Sequence, residues 1–290
     1  MKVLLEALVF TEAPEWCLPL VWFAFVGKHR VLASTGAQSA FEVWRARLSP
    51  RQQDAVEHAE NWSISDEASA PSKLEIRVSD KPTTGQVSPT TAWAILQRPY
   101  RVLLEDGFND GAFLLRMAGS AERAYLQERF AREWLEADHG GGISSMPRHV
   151  KQLAASGAPL LASCLFDSDS ATPGLPSKDS VFLGKTCAKA KMHHYRLARR
   201  AIENYLPRSA FETWTLVGSN RTERLARRLK VRDFFDLVPS NRHHVNVKEH
   251  VGAVGGLKGD DSAMNDRDLA SEGGPAELQS FVRELIERVR

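Results

Sequence analysis

The chain has 290 residues, enough for one large domain or two smaller ones. Its 43% hydrophobic and 26% charged residues exclude a disordered or fibrous chain. A net charge of only +2 excludes a uniformly polybasic protein, so any nucleic acid must be met by a local patch. Cys17, Cys164 and Cys187 are odd in number and contain no C-x-x-C pair, which argues against a disulfide framework and a zinc knuckle. Glu6, Glu12 and Glu15 break up the first apolar stretch, so no signal peptide is expected there. The next run, CLPLVWFAFVG, is half a membrane span long and predicts a buried strand. The expected compartment is the cytoplasm.

Residues 1–95 predict an α+β lobe. MKVLLEALVF and LPLVWFAFV have strand composition, and LEIRV is a further strand. Ser49-Pro50 opens SPRQQDAVEHAENW as a helix, with serine as N-cap and proline at its first position. No chemistry is evident in this lobe.

From residue 96 strand and helix signals alternate. YRVLLE is a short apolar run ending in Glu105. DGAFLLRMA and AERAYLQERFAREW follow at helical period, then WLEAD as a second strand. Gly140, Gly141 and Gly142 precede the helical SSMPRHVKQLAA. PLLASCLF is a third strand that runs into Asp167-Ser168-Asp169, and KMHHYRLARRAIENYL reads as a helix. This order predicts a parallel sheet flanked by helices, with ligands beyond the carboxyl ends of its strands. Glu105 and Asp167 both fall at such ends.

In extended chain, residues two apart point the same way, so Asp167 and Asp169 would share one side. Two such carboxylates repel unless a cation neutralises them, and hard oxygen donors suit Mg2+ or Mn2+. An Asx-type turn closing the strand explains the aspartates alone about as well. Glu105 favours the metal reading, because a carboxylate closing a buried strand needs a partner. Asp110, at the start of the next helix, is a further candidate ligand, with helix N-capping as its alternative role.

The segments RVLLEDGFNDGAFLLRMA, HGGGISSMPRHVKQL, LLASCLFDSDS and HHYRLARRAIENYLP occur in this order across residues 96–206. Together they resemble the TOPRIM domain of OLD-family nucleases and of stand-alone TOPRIM effectors in bacterial anti-phage systems. The resemblance implies that Glu105, Asp167 and Asp169 are metal ligands of a nuclease and that Arg200, Glu203, Asn204 and Tyr205 form a family motif. The family's E-G-x-x-[DE] is altered here, the glycine and the following acid each standing one position later, as Gly107 and Asp110. OLD proteins carry an ABC-type ATPase, whereas G-x-x-x-x-G-K-[ST] is absent from this chain. The resemblance thus implies a separate ATPase partner and an effector role. A topoisomerase would need a tyrosine domain and a primase a zinc module, which leaves nuclease. A catalytically silent nucleic-acid-binding module is the alternative.

Between Lys185 and Glu249 there are fifteen Lys or Arg and six Asp or Glu. This segment is where a phosphate backbone is expected, with Arg199, Arg200, Arg224, Arg227 and Arg228 as contacts. Lys248, Lys185 and Arg200 are candidates to assist at the scissile phosphate. Ion pairing to Arg199 or Arg200 along a helix would by itself explain Glu203. His193-His194 and His243-His244 lack metal spacing and read as surface or nucleic-acid-contacting groups. The domain is expected to span 96–250, followed by a flexible linker over 251–274, rich in Gly, Asp and Ser. Residues 275–290 form an amphipathic helix with Leu278, Phe281, Val282, Leu285, Ile286 and Val289 on one face. That face is expected to pack against a partner or a second copy.

Overall fold

The computed structural model describes residues 1–157, 159–216, 220–252 and 275–290. It divides into two compact units, residues 1–99 with 284–290, and residues 100–283. Nearly all of the expected linker lies outside the described residues. Among the described residues no helix is long and apolar enough to cross a membrane.

The first unit contains β1 (Lys2–Leu5), α1 (Ala7–Glu12), α2 (Cys17–Phe25), β2 (Arg30–Ala33), α3 (Gln38–Arg45), α4 (Pro50–Ser69), β3 (Glu75–Val78), β4 (Gln86–Val87) and α5 (Pro89–Gln97). Its sheet has the order β2-β1-β3-β4 and is parallel throughout, so this unit is α/β rather than α+β. The expected strand at LPLVWFAFV is the helix α2, in which Leu20, Val21, Phe23 and Ala24 are buried. A continuous apolar run carries no period, and here it arises because apolar Trp22 and Phe25 also occupy the exposed side of the helix. MKVLLEALVF is divided between β1 and α1. The helix expected at Ser49-Pro50 is α4, whose Ser49 and Gln52 form a capping box.

In the second unit, β5 (Tyr100–Leu104), α6 (Gly107–Met117), α7 (Ser120–Ala131), β6 (Leu135–His139), α8 (Met146–Ala155), β7 (Ala162–Phe166), α9 (Lys178–Lys189) and β8 (His193–Arg196) alternate. The parallel sheet has the order β6-β5-β7-β8. One core layer comprises Leu103, Met146, Val150, Ala162, Cys164, Phe166, Leu183, Cys187 and Met192. The expected helix over KMHHYRLARRAIENYL is instead β8, a loop, and a 3-10 turn at Ile202–Tyr205. His193 and His194 are accordingly half-buried sheet residues: His193 Nδ1 bonds Ser163 Oγ at 2.8 Å, and His194 stacks on Phe166. After the turn come α10 (Arg208–Thr215), α11 (Arg221–Phe235), α12 (Pro239–Arg242), α13 (Val247–His250) and α14 (Pro275–Val289).

The apolar stripe of α14 is covered within the chain. Leu278, Phe281, Val282 and Leu285 are all fully buried. In the second unit Phe281 packs on His193 and Tyr195, and Glu277 accepts hydrogen bonds from Tyr205 Oη and the Ala198 N–H. In the first unit Arg290 pairs with Asp66 and Lys73 with Glu287. The face expected to meet a partner or second copy is thus occupied by the chain's own residues.

Candidate metal and phosphate site

The parallel order sets three strand ends side by side. In the register of β5 and β6, Leu104 lies opposite His139, so Glu105 emerges next to the end of β6. On the other flank β7 ends at Phe166 and delivers Asp167. Neighbouring strands are about 4.8 Å apart, so His139, Glu105 and Asp167 form a row along the carboxyl edge. Two glycines let the chain turn there. A Cβ on Gly107 would stand 2.9 Å from His139 N, and one on Gly140 would stand 2.5 Å from Met146 Cγ and 2.8 Å from Leu104 O. Only glycine allows these backbone approaches.

A cavity of about 170 Å3 at this edge is lined by Glu105, Asp167, Asp169, Arg200, Glu203 and Lys248, among others. It brings together residues up to 143 positions apart in sequence. A larger cavity of about 640 Å3 between α10 and α11 has no comparable set of carboxylates. The acidic cavity is therefore the one that gathers the candidate site residues.

Glu105 Oε1 accepts the Asp167 N–H at 3.1 Å, and Asp167 Oδ1 accepts the Ile202 N–H at 3.0 Å. Asp169 is not in extended chain: its φ is +50°, and its N–H donates to Arg200 O at 2.8 Å. The two-apart argument for the aspartates thus fails locally, although both line the cavity. A left-handed conformation at a residue other than glycine costs roughly 1–2 kcal/mol, and Asp tolerates it better than most. Ser168 is buried between them and donates to Arg199 O at 2.7 Å, tying the D-S-D turn to the segment before the 3-10 turn.

Burial pushes the Glu105 carboxyl above its ordinary range, and the charges of Asp169 and Asp110 push it further, against hydrogen bonds from the Asp167 and Ile143 amides. Burial also raises Asp169. Arg200 and Lys248 pull it back, while Asp179 and Glu203 add to the rise. The carboxylates are thus held in mutual repulsion with partial compensation.

Glu203 is buried in a 3-10 turn, so the α-helical spacing expected to set it against Arg199 or Arg200 is not formed. It faces Lys248, Oε1 to Nζ 3.6 Å, and the lysine side chain remains 69% exposed. Arg199 is likewise corrected. It is only 7% exposed, donates to Asn204 O at 2.7 Å and lies over the Tyr205 ring at 4.5 Å, so it braces the turn and cannot reach a phosphate. Asn204 caps the same turn and donates to Arg242 O and Val245 O, which fixes the segment carrying Lys248. Asp110 does not line the cavity; its Oδ2 accepts the Asp106 N–H at 2.9 Å, the capping role weighed above. Lys185 is exposed on α9 and away from the lining.

Arg224 and Arg228 are exposed on α11. Arg227 is half-buried, paired with Glu223 and set over Trp214 at 4.7 Å. Among the described residues no three Asp, Glu, His or Cys side chains already stand in a metal-ligating group. As oriented, Glu105 and Asp167 each direct one oxygen to a backbone amide. What sequence reasoning missed is the pairing of Glu203 with Lys248 and the role of Asn246, whose side chain caps α13 and which also lines the cavity. Two separate short segments meet there, and neither has a local pattern that announces the other. No family model, no curated protein and no solved structure matches the chain.

Proposed function

We propose that the acidic cavity is the active site of a divalent-metal-dependent nuclease of TOPRIM type, which cleaves DNA or RNA phosphodiesters. The observation that supports this most is the gathering of four carboxylates, Glu105, Asp167, Asp169 and Glu203, with Arg200 and Lys248 around one small cavity at the carboxyl edge of a parallel sheet. The donor set is all oxygen, which fits Mg2+ or Mn2+ and not a thiolate- or imidazole-seeking metal. Glu105, Asp167 and Asp169 would hold the ion, with Glu203 alongside. Once bound, it would supply Lewis-acid stabilisation of the reacting phosphate oxygens and an activated water.

The chain's own groups divide the remaining work. Glu105, whose carboxyl burial raises above its ordinary range, is suited to take a proton. Lys248 is exposed and only loosely paired, so it can move to a phosphate oxygen and offset developing charge. Arg200 is anchored by its backbone N–H to His243 O and by its guanidinium to His244 O at 3.4 Å, which keeps a cation beside Asp169. Arg224 and Arg228 would meet the phosphate backbone farther out. In this reading the chain acts as an anti-phage effector governed by a separate ABC-type ATPase.

The test is cleavage of labelled DNA and RNA, single- and double-stranded, by the full chain in Mg2+, Mn2+ or EDTA. Asp167→Asn is the informative variant, because the amide oxygen can still accept the Ile202 N–H. Metal-dependent cleavage by wild type and a loss of several orders of magnitude in Asp167→Asn are expected. Wild-type rates in that variant, or no cleavage of any substrate by wild type, would overturn the proposal.

A further inference from the structure

On the far side of Glu105 from Asp167 lies a second cavity, about 390 Å3, lined by His139, Gly140, Gly141, Ser145, Arg148 and His149, with Gln152 at its margin. It abuts the acidic site through backbone: Gly140 N–H donates to Leu104 O at 2.7 Å and Gly142 N–H to Glu105 O. Its character is opposite. Arg148, His139 and His149 line it and no carboxylate does. The Gly107 N–H donates to His139 Nδ1 at 3.3 Å, which leaves the ring's Nε2–H as a donor.

A second observation concerns the chain that abuts His139. Phe108 follows Gly107, whose backbone abuts His139, and is 83% exposed, the most exposed of the large hydrophobic residues described. It sits in the first turn of α6, which Asp106 caps, so its backbone is fixed while its ring faces water. An exposed aromatic residue one position from the backbone that abuts His139, near a cavity lined by Arg148 and two histidines, matches the chemistry of single-stranded nucleic acid, in which bases stack and phosphates seek cations and hydrogen-bond donors. A duplex keeps its bases stacked on one another and offers no face to such a ring.

We propose that Phe108 and the His139–His149 cavity form a subsite for a single-stranded segment next to the scissile phosphodiester, with one base stacked on Phe108 and its phosphate held by Arg148 and His149. This rests on the nuclease reading for its purpose, though not for its test.

Fluorescence anisotropy of the full chain with labelled twelve-nucleotide single-stranded DNA, single-stranded RNA and blunt duplex, all in EDTA, measures binding without turnover. Phe108→Ala should weaken single-strand binding about tenfold while Phe108→Trp retains it. Duplex affinity should be the same in both variants. Arg148→Ala should weaken single-strand binding and lower its salt slope by about 0.7. The DNA and RNA arms show which strand is preferred. Unchanged single-strand affinity in Phe108→Ala and Arg148→Ala, equal losses on duplex, or no strand binding by wild type would overturn the subsite. Hydrolysis of a small phosphodiester by wild type in Mn2+ is scored separately. A chain that shows the binding effects yet hydrolyses nothing keeps the subsite and loses the nuclease reading, and cleavage with unaltered variant binding does the reverse.

Discussion

Gly140→Ala is the substitution that most sharply joins fold to site. The added Cβ would lie 2.5 Å from Met146 Cγ and 2.8 Å from Leu104 O, whereas ordinary contacts begin near 3.4 Å. The methionine end can swing aside. The carbonyl cannot, because it belongs to the strand end that delivers Glu105 and accepts the Gly140 N–H. Relief therefore requires the end of β5 to shift by a sizeable fraction of an ångström. Overpacking of this kind costs about 1–3 kcal/mol. For a unit of this size that corresponds to a fall of roughly 2–10 °C in its unfolding temperature. A displacement near 1 Å at a catalytic group lowers turnover about a hundredfold. The control is Gly157→Ala, at a left-handed position (φ +71°) with open space around it, where the cost is backbone conformation alone. Thermal unfolding by circular dichroism and cleavage rates should show both variants destabilised but only Gly140→Ala slowed. Wild-type stability and rate in Gly140→Ala, or equal slowing in Gly157→Ala, would refute the reasoning.

Three further outcomes follow from particular contacts. Because the folded Glu105 carboxyl is raised, its contribution to stability is fully present below the ordinary glutamate value of 4.5 and is lost as pH rises through the raised value. In EDTA, wild type should therefore lose stability relative to Glu105→Gln on going from pH 4.5 to pH 8 by urea unfolding, and a flat difference would contradict the burial argument. Tyr205→Phe removes the hydroxyl that accepts the Arg199 N–H and donates to Glu277, which should cost about 1–3 kcal/mol in the same assay. Phe281→Ala should cost about 3–5 kcal/mol, since the ring is fully buried against His193 and Tyr195; a negligible loss would return α14 to the role of an assembly helix.

The parts of the site legible in sequence were those where an apolar run stops at an acid. YRVLLE and PLLASCLFD reveal both the strand and the carboxylate that it delivers to the cavity, because burial demands the first part and forbids an unpartnered charge at the end. The glycines near 107 and 140 were visible, but the backbone approaches that require them were not. Misreadings came where pattern and burial diverge. LPLVWFAFV has no period because Trp22 and Phe25 keep the exposed side of α2 apolar, and HHYRLARRAIENYL has helical charge spacing although Tyr205, Arg199 and Asn204 fold it into a braced turn. The Glu203–Lys248 pair spans 45 residues, so no local rule could announce it.

The central claim is that the acidic cavity takes up a divalent cation. Electron paramagnetic resonance of free Mn2+, titrated with the metal-free full chain, reads this without any substrate. Saturable uptake of Mn2+ by wild type, abolished in the Asp167→Asn, Asp169→Asn double variant and displaced by Mg2+, is the predicted result. Equal uptake by the double variant, or none by wild type, would contradict it.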